Sequence, residues 1–401
     1  MPEINRRSFL RSGVSAAGLV AAQKGGILDA LSETRRTLDI NRHRFGVNYT
    51  PSHNWWFCWN DWDPSPIEKD LDAIASLNAD HLRIMLIWPY FQPNLTWVDP
   101  LMLDRLHQLL TMMSQRRLDA LITVFTGQLS GWFFLPPFNQ PNAGFYTDPK
   151  IRAAQLLFIR KIAAVVHDHP NVIGLDLGNE LNTCWHAPTS DGDAWMDWIF
   201  AQIDKAMPGH LNVNGVDQQP WFRNTTFSPA ALVANQRMPV MHCYPYWSGA
   251  LKYGGPMDPP SIKLLAAMAT LIRSYAGKPQ TPVWAGEFNT CIASLTQSQQ
   301  AQWLERAVLA AIDQGVNWFS YWDSHDLNPK FTFNSVEYTL GLLTNDGQVK
   351  DQGRVFRELA RTYRGKAVTY PNAPLPSPPA IRTTSNTWRW LLDWMEWKTP
   401  V

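Results

Sequence analysis

The chain has 401 residues, of which 45% are hydrophobic and 17% charged, with a formal net charge of +1. This length and composition support a large hydrophobic core. The balanced charge gives no electrostatic basis for binding nucleic acid or an anionic membrane surface, and beyond the N-terminal segment no apolar run is long enough to span a bilayer.

The N-terminus carries a pattern that is typical of export. Residues 5–11 read Asn-Arg-Arg-Ser-Phe-Leu-Arg, and a small-residue, weakly apolar run follows up to Ala22. This segment resembles a bacterial twin-arginine signal peptide, with cleavage before Gln23. We expect residues 1–22 to be removed, residues 23–43 to form a connecting segment, and the mature protein to be periplasmic or secreted, without stable membrane insertion. A basic cytosolic N-terminus with a chance Arg-Arg pair is the alternative.

The body of the chain alternates between strand-like and helix-like patterns. The strand-like runs are Arg44–Tyr49, Leu82–Trp88, Ala120–Thr126, Val172–Gly178, Leu211–Val216, Pro239–Cys243, Val283–Gly286 and Val316–Tyr321. The helix-like runs are Ile67–Leu77, Leu101–Arg116, Ile151–His167, Ala194–Ala206, Pro229–Asn235, Ile262–Tyr275, Ser298–Gln314 and Val355–Tyr363. Asp104, Asp148, Asp193 and Thr296 are expected near helix starts, where they can accept from free backbone N–H groups.

Eight strand–helix units predict an α/β fold, a (β/α)8 TIM barrel that forms a single domain over residues 44–365. An open doubly wound sheet is the competing architecture. Such a sheet usually carries a glycine-rich phosphate-binding turn after a strand, and the sequence contains no such motif.

The last segment, residues 366–401, is a Pro-rich and Trp-rich C-terminal extension. Trp390, Trp394 and Trp397 fall on one face of a predicted helix. Packing of this helix back on the barrel is the favoured interpretation, and a partner helix, a sugar-binding surface and a membrane-surface anchor are the alternatives.

Two of the strand-like runs end on a glutamate. The fourth run leads from apolar residues directly into Asn179 and Glu180, and the seventh leads into Glu287. Amide and carboxylate groups are costly to bury without partners, so these strand ends are expected to open into a polar pocket. In a barrel of parallel strands the active site lies at the C-terminal ends of the strands. Two carboxylates meeting there would provide the chemistry of glycoside hydrolysis.

Other residues accompany the two glutamates at the strand ends. They are Arg83 in the second strand, Trp88 at its end, Trp185 after the fourth, His242 at the end of the sixth, Tyr244 and Trp247 after the sixth, and Trp322 after the eighth. With 20 Trp in the chain, we expect several indole rings to serve as flat surfaces for sugars.

The four cysteines, Cys58, Cys184, Cys243 and Cys291, form no CxxC pair and no zinc-site spacing. Buried free thiols are favoured, with one disulfide as the alternative. No metal and no cofactor is predicted.

Together these motifs resemble the clan A glycoside hydrolases, and glycoside hydrolase family 5 most closely. The resemblance rests on Asn179-Glu180, Glu287, His242-Cys243-Tyr244, Arg83 and Trp322 in matching strand order, and on the stretch Gly341–Lys350 before the last barrel helix. It implies a retaining hydrolase of a β-linked oligo- or polysaccharide of mannan or glucan type, with Glu180 as general acid/base and Glu287 as nucleophile. Arg83, Asn179, His242, Tyr244, Trp322, Trp88, Trp185 and Trp247 would support the catalytic pair or bind substrate.

The third strand departs from this resemblance, since Thr123–Gln128 lacks the His that many family 5 cellulases carry there. Cellulase specificity therefore does not transfer directly. An exo-acting β-glycosidase for small glycosides, a non-catalytic carbohydrate-binding barrel and a metal-dependent barrel hydrolase remain as alternatives.

Overall fold

A computed structural model describes residues 38–141, 144–331 and 335–398 of the chain. Its strands are β1 Arg44–Asn48, β2 His81–Ile87, β3 Asp119–Thr126, β4 Gln128–Leu129, β5 Trp132–Phe133, β6 Val172–Asp176, β7 Val240–Cys243, β8 Trp284–Phe288 and β9 Trp318–Tyr321. Its α-helices are Pro64–Ser76, Trp88–Phe91, Pro100–Gln115, Pro149–Val166, Leu181–Cys184, Thr189–Ala206, Gln219–Phe222, Pro229–Asn235, Pro245–Ser248, Pro259–Ile262, Leu264–Ala276, Gln297–Asp313, Asp351–Tyr363 and Thr384–Trp394. Short 3-10 helices occupy Trp55–Trp59, Ala250–Lys252 and Ser335–Tyr338.

The strands outside the β4–β5 hairpin form one parallel sheet in the order β6-β3-β2-β1-β9-β8-β7. With the helices and the similar barrel enzymes described below, this curled sheet confirms the α/β barrel.

The prediction of a regular fifth strand at Leu211–Val216 is wrong, although the segment does occupy the fifth position of the barrel. In the described structure this segment makes a single parallel bridge, Val213 to Asp176. It is joined to β6 by the N–H of Leu211 donating to Ile173 O, and to β7 by the N–H of His242 donating to Val216 O. The N–H of Asn214 donates to the side-chain oxygen of Gln236, and this contact interrupts the backbone hydrogen-bond ladder of the segment. The barrel is therefore closed at its fifth position by individual hydrogen bonds.

Several of the described helices begin with a capping side chain, and two of the four predicted caps are correct. Asp148 accepts from the N–H groups of Lys150 and Ile151, and Thr296 forms a capping box with Gln299. Asp104 lies inside a helix that Asp99 caps. Asp193 lies inside the helix Thr189–Ala206 and accepts from the Ser228 N–H instead.

All four cysteines are buried and free. The predicted signal peptide, and most of the connecting segment before residue 38, lie outside the described residues. Within the described part of the chain, no helix combines the length and apolar character needed to cross a membrane.

The C-terminal extension contacts the barrel through tryptophans. In its helix, Thr384–Trp394, the indole of Trp388 is buried, packs against Phe222 and Tyr253, and donates to Ser248 O at 2.9 Å. The indole of Trp397 donates to Tyr253 O at 2.8 Å. The helix therefore packs on the helix Gln219–Phe222, which precedes β7, and on the segment Ser248–Tyr253, which follows it.

We predict that Trp388→Ala lowers the free energy of unfolding by roughly 3–5 kcal/mol, because it removes a buried indole and leaves a cavity. Urea unfolding followed by fluorescence and circular dichroism measures the change. The control is Arg389→Ala on the exposed side of the same helix, which should change stability by about 0.5 kcal/mol or less. Equal stability of the two variants would show that the extension does not stabilise the barrel.

Candidate active site

The interior of the barrel contains a fully buried guanidinium, that of Arg83 in β2. Its Nε and Nη2 lie 2.8 and 2.7 Å from Asp176 Oδ2. Its Nη1 donates to Asn48 Oδ1 at 3.0 Å and also to Glu287 Oε1, and its Nη2 donates to Asn179 Oδ1 at 3.0 Å. One cation thereby binds groups from β1, β6, β8 and the turn after β6.

The partners of Arg83 are themselves held by the barrel. Asp176, the last residue of β6, accepts from the Gly215 N–H at 2.7 Å and from Thr123 Oγ1 at 3.1 Å. The amide of Asn48 donates to backbone carbonyls of β8 and β9, including Gly286 O at 3.0 Å. The charged groups of this layer, Arg83, Asp176 and Glu287, all have partners, which is the condition for burying charges without a large penalty.

Glu287 lies in β8, and both of its carboxylate oxygens accept hydrogen bonds. Arg83 donates to Oε1, and the hydroxyl of Tyr244 donates to Oε2 at 2.6 Å. Burial, together with the charge of Glu180, raises the pKa of this carboxyl above its ordinary value, although His242, Arg83 and the Tyr244 hydrogen bond oppose that shift. Two donors on the carboxylate favour its ionised form.

Glu180 follows β6 in a different environment. Its backbone is left-handed, with φ +50°, and its N–H donates to Gly215 O at 3.0 Å. Its Oε1 lies 2.9 Å from His242 Nδ1, and burial lowers the pKa of that imidazole to about 4. Burial also raises the pKa of Glu180 to about 7, against the charge of Arg83. Glu180 is thus a carboxyl group that can hold a proton near neutral pH.

The two glutamates are close enough to act on one bond. One ligand atom each from Glu180, His242 and Glu287 lies within 4.8 Å of the others. A retaining glycosidase has its carboxyl groups about 5–5.5 Å apart, and an inverting one about 6.5–9.5 Å. Among the described residues, these three could also hold a metal ion, but the guanidinium of Arg83 already supplies positive charge at Glu287.

A cavity of about 420 Å³ opens above the two carboxyl groups. Its lining includes Gln128, Ser130, Gly131, Asn179, Glu180, Asp217, Gln218, Gln219, Tyr244, Trp247, Glu287, Cys291, Trp322 and Glu337. Trp322 is buried and its indole donates to Glu337 Oε2 at 3.3 Å. Trp247 is 52% exposed, with Tyr246 packed edge to face against it, and offers an exposed aromatic surface to the cavity. The volume is in the range of small-ligand sites.

Solved structures of glycoside hydrolases are similar to this chain. A variant of a GH5_18 protein from Bifidobacterium longum subsp. longum, in complex with Manβ1-4GlcNAc, is 30% identical with a TM-score of 0.78, and the match covers 82% of this chain and 80% of that chain. A variant of a GH5_18 protein from Streptomyces cattleya, in complex with the same disaccharide, is 27% identical with a TM-score of 0.80, covering 88% and 90%. An exo-β-1,4-mannosidase from an Opitutaceae bacterium is 26% identical with a TM-score of 0.74, covering 82% and 61%.

The chain is a clan A glycoside hydrolase of the family 5 type. No protein-family model and no curated protein sequence matches it. It is a retaining β-glycoside hydrolase, and its substrate is therefore a carbohydrate.

The structure of this glycoside hydrolase brings most of the predicted site residues together. Glu180, Glu287, Asn179, Tyr244, Trp322 and Trp247 line the cavity, and Arg83 and His242 contact the glutamates from below. Trp88 and Trp185 are corrections. They are 0% and 1% exposed and pack edge to face against each other and around Phe145. Both belong to the core, so neither offers a surface to a sugar.

Asp176, Asn48, Asp217 and Glu337 are among the residues of the site that were not predicted as site residues. Asp176 had a visible signal, because a carboxylate stands inside an otherwise apolar strand. Asn48 ends the first strand and had the same kind of signal. Asp217 also had a signal, because it directly follows the predicted fifth strand Leu211–Val216. Glu337 had none, since it lies in a connection whose course only the folded chain defines.

We predict that Arg83→Met lowers the free energy of unfolding by roughly 3–5 kcal/mol, because Asp176 and Glu287 would remain buried without their cation. Urea unfolding at pH 7 measures the loss. The matched control is Arg116→Met, whose partner Asp72 is 67% exposed and whose loss should cost roughly 1 kcal/mol or less. A loss for Arg83→Met no larger than that of the control would contradict the central role of this cation.

Proposed function

We propose that this protein cleaves β-glycosidic bonds by double displacement, with Glu287 as nucleophile and Glu180 as general acid/base. The observation that carries the proposal is the unequal surroundings of the two carboxyl groups. Glu287 accepts from a guanidinium and a phenol, and both stabilise its anion. Glu180 has a neutral imidazole as its direct partner and keeps its proton up to about pH 7.

The proposed reaction follows from the different surroundings of the two carboxyl groups. The Glu287 carboxylate attacks the anomeric carbon while Glu180 gives its proton to the leaving oxygen, which forms a covalent glycosyl-enzyme. Glu180, now ionised, then removes a proton from water, and that water releases the sugar with net retention. In the first step Tyr244 and Arg83 hold Glu287 in the attacking orientation. His242 contacts both glutamates, at 2.9 and 3.4 Å, and fixes their spacing.

The substrate-binding roles follow from position in the cavity. Asn179 precedes Glu180 and is anchored to Gln128 O at 3.0 Å, and we assign its amide to the 2-hydroxyl of the reacting sugar. Trp322 lies at the end of β9 and is assigned to the floor beneath that sugar. The exposed indole of Trp247 is assigned to the sugar on the leaving side.

For the substrate we propose a short oligosaccharide with a terminal β-linked mannose, of the Manβ1-4GlcNAc kind. Two similar GH5_18 structures hold this disaccharide, and a third similar protein is named an exo-β-1,4-mannosidase. The β4–β5 hairpin and the loop that carries Glu337 both line the cavity, which favours a pocket for a chain end over an open cleft.

Azide rescue of alanine variants tests the two catalytic roles. Glu287→Ala with azide should give the α-glycosyl azide, because the anion attacks from the vacated face. Glu180→Ala with azide should give the β-glycosyl azide from an activated aryl glycoside. Without azide, loss of the acid/base should cost roughly 10²–10⁴-fold in rate. Proton NMR of the products identifies the anomers.

The control for azide rescue is Glu305→Ala, an exposed glutamate on the helix Gln297–Asp313, which should keep full activity and give no azide product. Near-wild-type activity of Glu180→Ala or Glu287→Ala, or the opposite anomers, would contradict the assigned roles.

The sugar preference is tested with paired aryl glycosides. We predict that kcat/KM for an aryl β-mannoside exceeds that for the β-glucoside by roughly 10–100-fold, the range that one correctly placed contact provides. Manβ1-4GlcNAc should also be hydrolysed, with release of β-mannose as the first anomer seen by NMR. An equal or higher value for the glucoside would refute the mannose assignment and leave the retaining mechanism in place.

A further inference from the structure

A third carboxylate lines the cavity beside Glu180. Asp217 ends the segment that closes the barrel at its fifth position, two residues after Gly215, whose carbonyl accepts the Glu180 N–H. It lies on the same side of the cavity as the acid/base, next to Gln218, whose amide donates to Trp247 O at 3.2 Å. Asp217 therefore borders the region where the leaving sugar is expected.

The carboxylate of Asp217 is anchored through one oxygen. Its Oδ1 accepts from Asn182 Nδ2 at 2.7 Å and from the Gln219 N–H at 2.8 Å. Asn182 lies in the short helix that starts directly after Glu180, so the anchor ties Asp217 to the turn that carries the acid. In the described part of the chain, Oδ2 has no hydrogen-bond partner and Asp217 has no ion pair.

An asparagine would satisfy the same two donors through its carbonyl oxygen at a lower desolvation cost. The two hydrogen bonds therefore do not explain why this position carries a negative charge. A charge kept at a cost in a cavity, next to a catalytic acid, points to an electrostatic role.

We propose that Asp217 is a positioning residue for catalysis, whose negative charge shares one proton with Glu180 and keeps that proton on Glu180 until the leaving group takes it. This inference rests on the proposed role of Glu180 as general acid/base and adds a second carboxylate to that role.

The electrostatics of the pair support this reading. Burial raises the pKa of Asp217 to about 7, and the charge of Glu180 raises it as well. The repulsion is mutual, so the two groups do not both ionise readily and one proton serves the pair. The charged and titratable groups facing the pair from neighbouring elements are Arg83, Cys184, Arg223, His242, Tyr244 and Glu287.

The position of the shared proton follows from the hydrogen bonds. Asn182 and the Gln219 N–H both donate to Asp217 and lower its pKa, so they favour its ionised form. Glu180 has no such pair of donors among the described residues. The two hydrogen bonds therefore favour the proton on Glu180 over Asp217, which is the state that the first catalytic step requires.

The test is the pH profile of kcat/KM for Asp217→Asn, a variant that keeps an acceptor for Asn182 and Gln219. Activity of the wild type should fall above about pH 7 as Glu180 loses its proton. Without the neighbouring charge Glu180 ionises more easily, so this alkaline limb should move down by about 1 pH unit. Asp217→Glu should restore a profile near that of the wild type. Asp204→Asn, an exposed aspartate away from the cavity, is the control and should leave the limb unchanged.

A second readout separates proton donation from folding. A 2,4-dinitrophenyl glycoside needs little acid assistance, so Asp217→Asn should lower its kcat/KM much less than that of a phenyl glycoside. If Asp217→Asn does not fold, Asn182→Ala replaces it, because loss of that donor moves the proton toward Asp217 and should give the same dependence on the leaving group.

The outcomes are distinct. An unmoved alkaline limb in Asp217→Asn, or equal losses for the two aryl glycosides, would overturn the inference even if stability or KM changed. Absence of glycosidase activity in the wild type would instead refute the proposed function on which the inference rests.

Discussion

The structure of this glycoside hydrolase depends on one buried cation. The guanidinium of Arg83 neutralises Asp176 and Glu287 and orders two carboxamides, so it joins strands that are distant in sequence at the point where the chemistry is proposed. Charges can be buried in this way only when each has a partner. The barrel and the active site are consequently built from the same contacts, and a change that weakens one weakens the other.

This arrangement also explains how two identical side chains acquire different chemistry. Glu287 faces the cation and a phenol, whereas Glu180 faces a neutral imidazole, and burial raises the pKa of Glu180 to about 7. The backbone supports the difference, since Glu287 is held inside β8 and Glu180 sits on a left-handed turn after β6. Environment, and not residue type, separates an anion from a proton donor.

The sequence was sufficient where a signal is local. Strand-end glutamates, the arginine in β2 and the alternation of strands and helices all follow from short patterns, and they predicted the barrel and the position of Glu180 and Glu287. The fifth strand was misread because the side chain of Gln236 interrupts its ladder, a contact between residues distant in sequence. Trp88 and Trp185 were misread because an indole ring looks the same in a sequence whether it faces a core or a sugar. Glu337 was not predicted because the segment that carries it reaches the cavity only in the folded chain.

The irregular fifth position has a mechanical consequence. Regular strands resist displacement through a continuous ladder, whereas the segment from Leu211 to Val216 is held by separate hydrogen bonds. Glu180 is attached by its main chain to Gly215, and His242 to the adjacent Val216. The main chains of the proton donor and of its histidine partner are therefore both attached to the one wall segment that lacks a regular ladder. The spacing between carboxyl and imidazole depends on two adjacent carbonyl groups of that segment as well as on the side chains themselves.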